Sequence, residues 1–293
     1  MTRFEGIFPA LATPFTKDGA AIDFPSLEKL VEHVIAGGVH GVVVAGSTGE
    51  AATLSDEEYW QLIRRVQEIV GKRVAVIAGI GSNNTARAVA IAGELNLLGL
   101  DGLLVVTPPY NKPSQAGMAA HFRAIRGVSG IPLIAYNVPS RTGVNLLPDT
   151  MEELVADGTI VAVKESSGNM EQGLDLLSRV RKSASVLSGE DSLVFSFLAA
   201  GGAGTISTTA NLAPKAFAQL WEAWRKGAVE ESLSIQLRLL PLIRSIFNES
   251  NPIPLKYALS LQGIISHNVL RLPLQSACDE TKRRLDRDIG LAL

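Results

Sequence analysis

The chain has 293 residues, 46% of them hydrophobic and 19% charged, with a formal net charge of −2. That length suits one large α/β barrel or two small domains, and the near-neutral balance excludes a basic field for nucleic acid or an acidic tail. A lone cysteine, Cys278, excludes an internal disulfide framework and a cysteine-based metal cluster. No apolar run approaches the ~18 residues of a membrane span, and Met1-Thr2-Arg3-Phe4-Glu5-Gly6 lacks the apolar segment of a signal peptide. The expectation is a soluble cytoplasmic protein that touches neither membrane nor nucleic acid. Aromatic residues make up 5%, so the core must be built from Val, Ile, Leu and Ala.

In chain order, Gly6–Ala12 reads as a strand that runs into Thr13-Pro14-Phe15, where a dinucleotide-binding sheet would carry G-x-G-x-x-G. Leu27, Leu30, Val31, Val34 and Ile35 form a helical stripe closed by Gly37-Gly38. The strand Gly41–Ala45 leads into Gly46-Ser47-Thr48-Gly49-Glu50. Ser55-Asp56-Glu57-Glu58 is a capping box ahead of Leu62, Ile63, Val66, Ile69 and Val70. Further strands are expected at Val74–Ile80, Gly102–Val106, Leu133–Tyr136, Ile160–Lys164, Ser185–Ser188 and Gly204–Ser207, with helical segments between them. Gly79-Ile80-Gly81 lacks the third glycine of a nucleotide loop.

Eight strand–helix units fit a parallel (β/α)8 barrel better than an open sheet. From Val229 onward only helical segments appear, punctuated by Pro241, Pro252, Pro254 and Pro273. The expected organisation is a barrel over 1–228 with a C-terminal helical extension over 229–293.

In such a barrel, side chains at the C-terminal strand ends converge on one face. The sixth strand delivers Lys164, followed by Glu165 and by the turn and helix-start residues Ser166-Ser167-Gly168-Asn169. A lysine in this position leaves water for a mostly apolar setting, which favours the neutral amine that attacks carbonyl carbon. The plainer reading is a lysine bonded to a neighbouring carboxylate. Tyr136, on the adjacent strand, suits a proton relay for imine formation, although strand-end tyrosines also serve as packing. Ser47-Thr48 between glycines is either turn chemistry or an anion site of hydroxyls and backbone N–H groups. Arg141 is either a surface ion pair or a fork for a substrate carboxylate. Glu165 points to the strand face opposite Lys164 and is not the expected base. His33, His40, His121 and His267 are scattered and form no pair at metal-ligand spacing. No metal is called for, because a protonated imine is itself an electron sink.

The chain resembles the pyruvate-dependent class I aldolase family, and within it the dihydrodipicolinate synthase branch. The likeness spans essentially the whole length. It rests on Gly46-Ser47-Thr48-Gly49-Glu50, Thr107-Pro108-Pro109-Tyr110-Asn111-Lys112-Pro113, Tyr136-Asn137-Val138-Pro139-Ser140-Arg141-Thr142-Gly143, Lys164-Glu165 and Asn251-Pro252-Ile253-Pro254. The resemblance implies a lyase that condenses pyruvate with L-aspartate 4-semialdehyde to 4-hydroxy-tetrahydrodipicolinate, on the way to diaminopimelate and lysine. It implies a Schiff base at Lys164 with no cofactor. Tyr136, Thr48 and Tyr110 would form the proton relay, with Tyr110 reaching into a neighbouring subunit of a homotetramer built from two dimers. Ser47 and Thr48 would hold the pyruvate carboxylate, Arg141 the carboxylate of the aldehyde, and backbone carbonyls at Gly189 and Ile206 would orient ligands.

Two departures from the family pattern stand out. The usual threonine pair is Ser47-Thr48, which keeps a hydroxyl and loses a methyl. Positions matching the feedback site for lysine carry Asp56, Tyr59, Arg87 and Pro109, with Asn83 retained, which implies weak or absent inhibition by lysine. The alternative within the family is a sialic acid lyase or keto-deoxy sugar acid aldolase. Ser140-Arg141-Thr142-Gly143 favours a short carboxylate substrate over a polyhydroxylated one.

Overall fold

The computed structural model describes residues 4–292. The opening stretch from Met1, read above for the absence of a signal peptide, begins outside the described residues. The strands are β1 (Gly6–Pro9), β2 (Gly41–Val44), β3 (Ala75–Ile80), β4 (Gly102–Val106), β5 (Leu133–Asn137), β6 (Ala162–Glu165), β7 (Ser185–Ser188) and β8 (Gly204–Ser207). The α-helices are α1 (Phe24–Ala36), α2 (Asp56–Val70), α3 (Thr85–Leu95), α4 (Gln115–Arg126), α5 (Pro139–Thr142), α6 (Pro148–Ala156) and α7 (Met170–Val180). They continue with α8 (Val194–Ala199), α9 (Pro214–Arg225), α10 (Val229–Ile246), α11 (Ile253–Leu261) and α12 (Asp279–Ala292).

The eight strands hydrogen-bond in the order β1-β8-β7-β6-β5-β4-β3-β2. Ala10 bridges Val43 in parallel just beyond β1 and joins the first strand to the second. The fold is the (β/α)8 barrel expected from the sequence. Most of the strands are buried on both faces, as near-continuous β-branched and Leu runs require.

The chain divides into two compact units, one over Ile77–Ile206 with Phe4 and Glu5, the other over Gly6–Val76 with the chain from Ser207 onward. In the first, the parallel register sets Leu104 opposite Ile134, Tyr136 opposite Lys164, and Lys164 opposite Leu187. The turn after β6 starts α7 as its residue types require: Gly168 sits at φ +71° and Asn169 accepts from the N–H groups of Glu171 and Gln172. Asp149, in the first turn of α6, and Glu152 both pair with Arg179, and Glu153 pairs with Arg123.

In the second unit the capping box is formed in both directions, Ser55 Oγ accepting from Glu58 N–H and the Glu58 carboxylate from Ser55 N–H. Gly37 and Gly38 close α1 as anticipated. Helix α10 packs against both α9 and α12, and α11 follows directly from Asn251-Pro252.

Several strand boundaries differ from the sequence reading, most of all at β1 and β6. β1 stops at Pro9 because Ala12 N–H turns to the side chain of Asn211 instead of a strand neighbour. β6 starts at Ala162 because Ile160 N–H bonds back to the Leu154 carbonyl as part of the exit from α6. Glu165, not Lys164, is its last residue.

Candidate active site

Lys164 and Tyr136 are Cα partners on β6 and β5, and both are buried, at 6% and 8% exposure. Lys164 Nζ lies 4.2 Å from the centroid of the Tyr136 ring. Among the described residues no carboxylate forms a salt bridge with it, which removes the plainer reading of this lysine. The nearest acid in sequence is held elsewhere: Glu165 accepts from Ser167 N–H at 2.7 Å through one oxygen and from Asn137 and Gln172 amides through the other. Asn145 ties those two amides together. The acid is thus a brace for the strand end.

Gly189 follows β7, and its N–H bonds the Glu165 carbonyl at 2.7 Å. A Cβ on this residue would stand 1.7 Å from Ser166 Oγ and 2.9 Å from Lys164 Cε. Only the absence of a side chain lets the lysine stem pass. Ile206, in β8, is 1% exposed. Arg141 is exposed and occupies α5, a single turn begun by Pro139. Tyr110 is 88% exposed and sits at φ +75°, an uncommon backbone state for an aromatic residue, with its N–H on the Thr142 carbonyl.

The loop after β2 lies in the other unit. Gly46–Gly49 forms a tight turn closed by Gly49 N–H to the Gly46 carbonyl, and Thr13 Oγ1 donates to the Gly49 carbonyl at 2.7 Å. Ser47 is exposed and Thr48 is buried. Asn251 Nδ2 donates to Thr48 Oγ1 at 2.9 Å and to Thr208 Oγ1 at 3.2 Å. Glu50, held at φ +52°, carries a carboxylate that pairs with Lys256 and accepts from Arg271 N–H. Both members of the Glu50–Lys256 pair are out of water, and burial pulls the Lys256 ammonium down to about 8 despite Glu50. Its Nζ also donates to the Val269 carbonyl and lies 4.1 Å from the Phe15 ring centroid.

Two features escaped the sequence reading. Glu190 follows Gly189 with nothing in the sequence to mark it, yet burial and then the Asp191 carboxylate push its carboxyl up to about 7, against the pull of Lys164 and Arg141. Asn251 stood in a stretch already singled out and Thr208 just past the last strand, but nothing local ties either to Thr48.

A model of the dihydrodipicolinate synthetase family matches residues 3–291. The chain belongs to this family. It is 44% identical over 282 residues, 96% of each chain, to the 4-hydroxy-tetrahydrodipicolinate synthase of Thermodesulfovibrio yellowstonii. The family fold is shared with the crystal structure of dihydrodipicolinate synthase from Thermotoga maritima, at a TM-score of 0.96 and 38% identity over 99% of this chain and 100% of that one. A solved monomeric dihydrodipicolinate synthase variant is equally similar, at 0.96 and 38% over 99% and 97%.

Proposed function

We propose that this protein is a Schiff-base lyase that condenses pyruvate with L-aspartate 4-semialdehyde to 4-hydroxy-tetrahydrodipicolinate. The observation that carries this reading is the buried Lys164 amine beside Tyr136, bound in no salt bridge among the described residues, in a chain of this family. The amine adds to C2 of pyruvate, and loss of water from the carbinolamine gives a protonated imine. That imine acidifies the methyl group, whose proton leaves to form an enamine. The enamine carbon attacks the aldehyde carbon of the second substrate. The substrate's own amine then adds to C2 and expels Lys164, which closes the ring and restores the enzyme.

Tyr136 moves the proton at the departing C2 oxygen, a step worth typically 10²–10⁴-fold. Family membership supports Thr48 and Tyr110 as the other members of that relay, and Ser47 and Thr48 as the carboxylate holders. Arg141 takes the carboxylate of the aldehyde substrate, and the carbonyls of Gly189 and Ile206 orient the ligands. The exposure of Tyr110 supports its donation to a neighbouring copy, in a homotetramer made of two dimers. The lysine imine takes the place of a cofactor. Among the described residues no helix is long and apolar enough to cross a membrane, and the reaction is proposed to take place in the cytoplasm.

The test is incubation with pyruvate, reduction with borohydride and location of the adduct by peptide mass. An adduct on Lys164 together with condensation on addition of aspartate semialdehyde supports the reading. No adduct overturns it, and an adduct without condensation leaves a pyruvate lyase of other specificity. Arg141→Ala is expected to keep the adduct while raising the aldehyde KM.

A further inference from the structure

Thr48, Thr208 and Asn251 meet from three separate segments of the chain, all of them buried at 3%, 7% and 8% exposure. The Asn251 amide nitrogen donates to both hydroxyl oxygens, which themselves lie 3.4 Å apart. An amide nitrogen has hydrogens and no lone pair to offer, so neither threonine can hand it a proton. Each hydroxyl carries one hydrogen and two acceptor positions. On Thr48 one acceptor position is filled by Asn251, and the Thr208 hydroxyl stands 3.4 Å away in a contact that either oxygen can donate. The Thr48 hydrogen cannot go to the Asn251 nitrogen and is left for Thr208 or for a ligand.

We infer that Asn251 is a positioning residue that turns Thr48 into a hydrogen-bond donor toward an anionic oxygen of the keto acid substrate. This rests on the functional reading above, which places a carboxylate at Ser47-Thr48. A threonine free to rotate presents lone pair or hydrogen with equal ease, and a lone pair aimed at a carboxylate repels it. With the Asn251 donor fixed on its acceptor side, the Thr48 hydroxyl is turned toward donating before the ligand arrives, which lessens the reorganisation that binding demands.

The decisive variant is Asn251→Asp, which keeps the shape and reverses the polarity. At mildly alkaline pH the side chain is a carboxylate that only accepts. It captures the Thr48 hydrogen and places its own charge behind the site. The expected result is a rise in pyruvate KM of about tenfold or more, with the KM for the aldehyde changed much less. Asn251→Ala removes the donor without reversing it and is expected to raise pyruvate KM by a smaller factor. A merely structural role predicts the opposite order, because Ala leaves a void and Asp does not. Asn251→Asp milder than Asn251→Ala, or equal to the parent, overturns the inference.

Should Asn251→Asp fail to fold, Asn251→Ala decides. It is expected to raise pyruvate KM about two- to fivefold with the aldehyde KM unmoved, and no change overturns the inference. The parent enzyme's borohydride adduct on Lys164 is measured alongside. Its absence brings down the functional reading and this inference together, whereas its presence with unaltered variants brings down this inference alone.

Discussion

The Lys164 amine lies over the face of the Tyr136 ring, 4.2 Å from its centroid, with the two residues in register across β5 and β6. Packing and proton transfer by this tyrosine are therefore separable. Tyr136→Phe keeps the aromatic face and removes the hydroxyl. The adduct with saturating pyruvate should still form on Lys164, while kcat falls about 10²-fold or more. Steady-state kinetics with an unchanged kcat would remove Tyr136 from the relay.

Gly189→Ala should silence the enzyme without unfolding it. The added methyl would overlap Ser166 Oγ and press on Lys164 Cε, and strain of this kind costs about 1–3 kcal/mol. The prediction is a lowered Tm and a large drop in borohydride-trapped pyruvate. Full trapping in this variant would show that the lysine stem has room to move.

Glu190 gives the protein a pH-dependent term of definite sign. Its carboxyl is raised from 4.5 to about 7, so the folded chain holds a proton there that the unfolded chain has lost. The group favours folding fully below pH 4.5, and that contribution disappears as pH climbs through 7. Glu190→Gln should therefore leave stability nearly unchanged in acid and raise it by about 1–2 kcal/mol above neutrality, after allowance for partial exposure. Urea unfolding of both proteins across the pH range reads the difference, and parallel curves would refute it.

Removing one half of the buried Glu50–Lys256 pair should be costly. Lys256→Met leaves the Glu50 carboxylate out of water with the Arg271 N–H at its second oxygen, a loss of about 3 kcal/mol. Replacing both, Glu50→Gln with Lys256→Met, should restore part of it. A double variant as unstable as the sum of the singles would show that the two charges are not coupled.

Lysine should inhibit weakly or not at all. Arg87 stands in the first turn of α3, where the family resemblance places a carboxylate ligand for the effector, and a guanidinium repels the ammonium groups of lysine. Initial rates that collapse at sub-millimolar lysine would contradict this.

Much of the arrangement was readable from local sequence, for reasons that differ by residue. Ile160–Lys164 announces a buried strand by its β-branched run, and Asn169 announces the next helix by its capping chemistry. The pairing of Tyr136 with Lys164 follows once consecutive strands are neighbours. What could not be read are relations made by distant segments. Asn251 and Thr48 are 203 residues apart in sequence, and Lys256 and Glu50 are 206 apart. The shift of Glu190 depends on how deeply several segments bury it, and that quantity has no signature in its immediate neighbours.

The polypeptide beyond the eighth strand is more than an appendage. Asn251 and Lys256 reach back from it to the Gly46–Glu50 turn, one amide steadying a hydroxyl and one ammonium anchoring the carboxylate two residues on. A version truncated after α10 would lack both anchors, so shortening this protein for engineering must begin somewhere other than its tail.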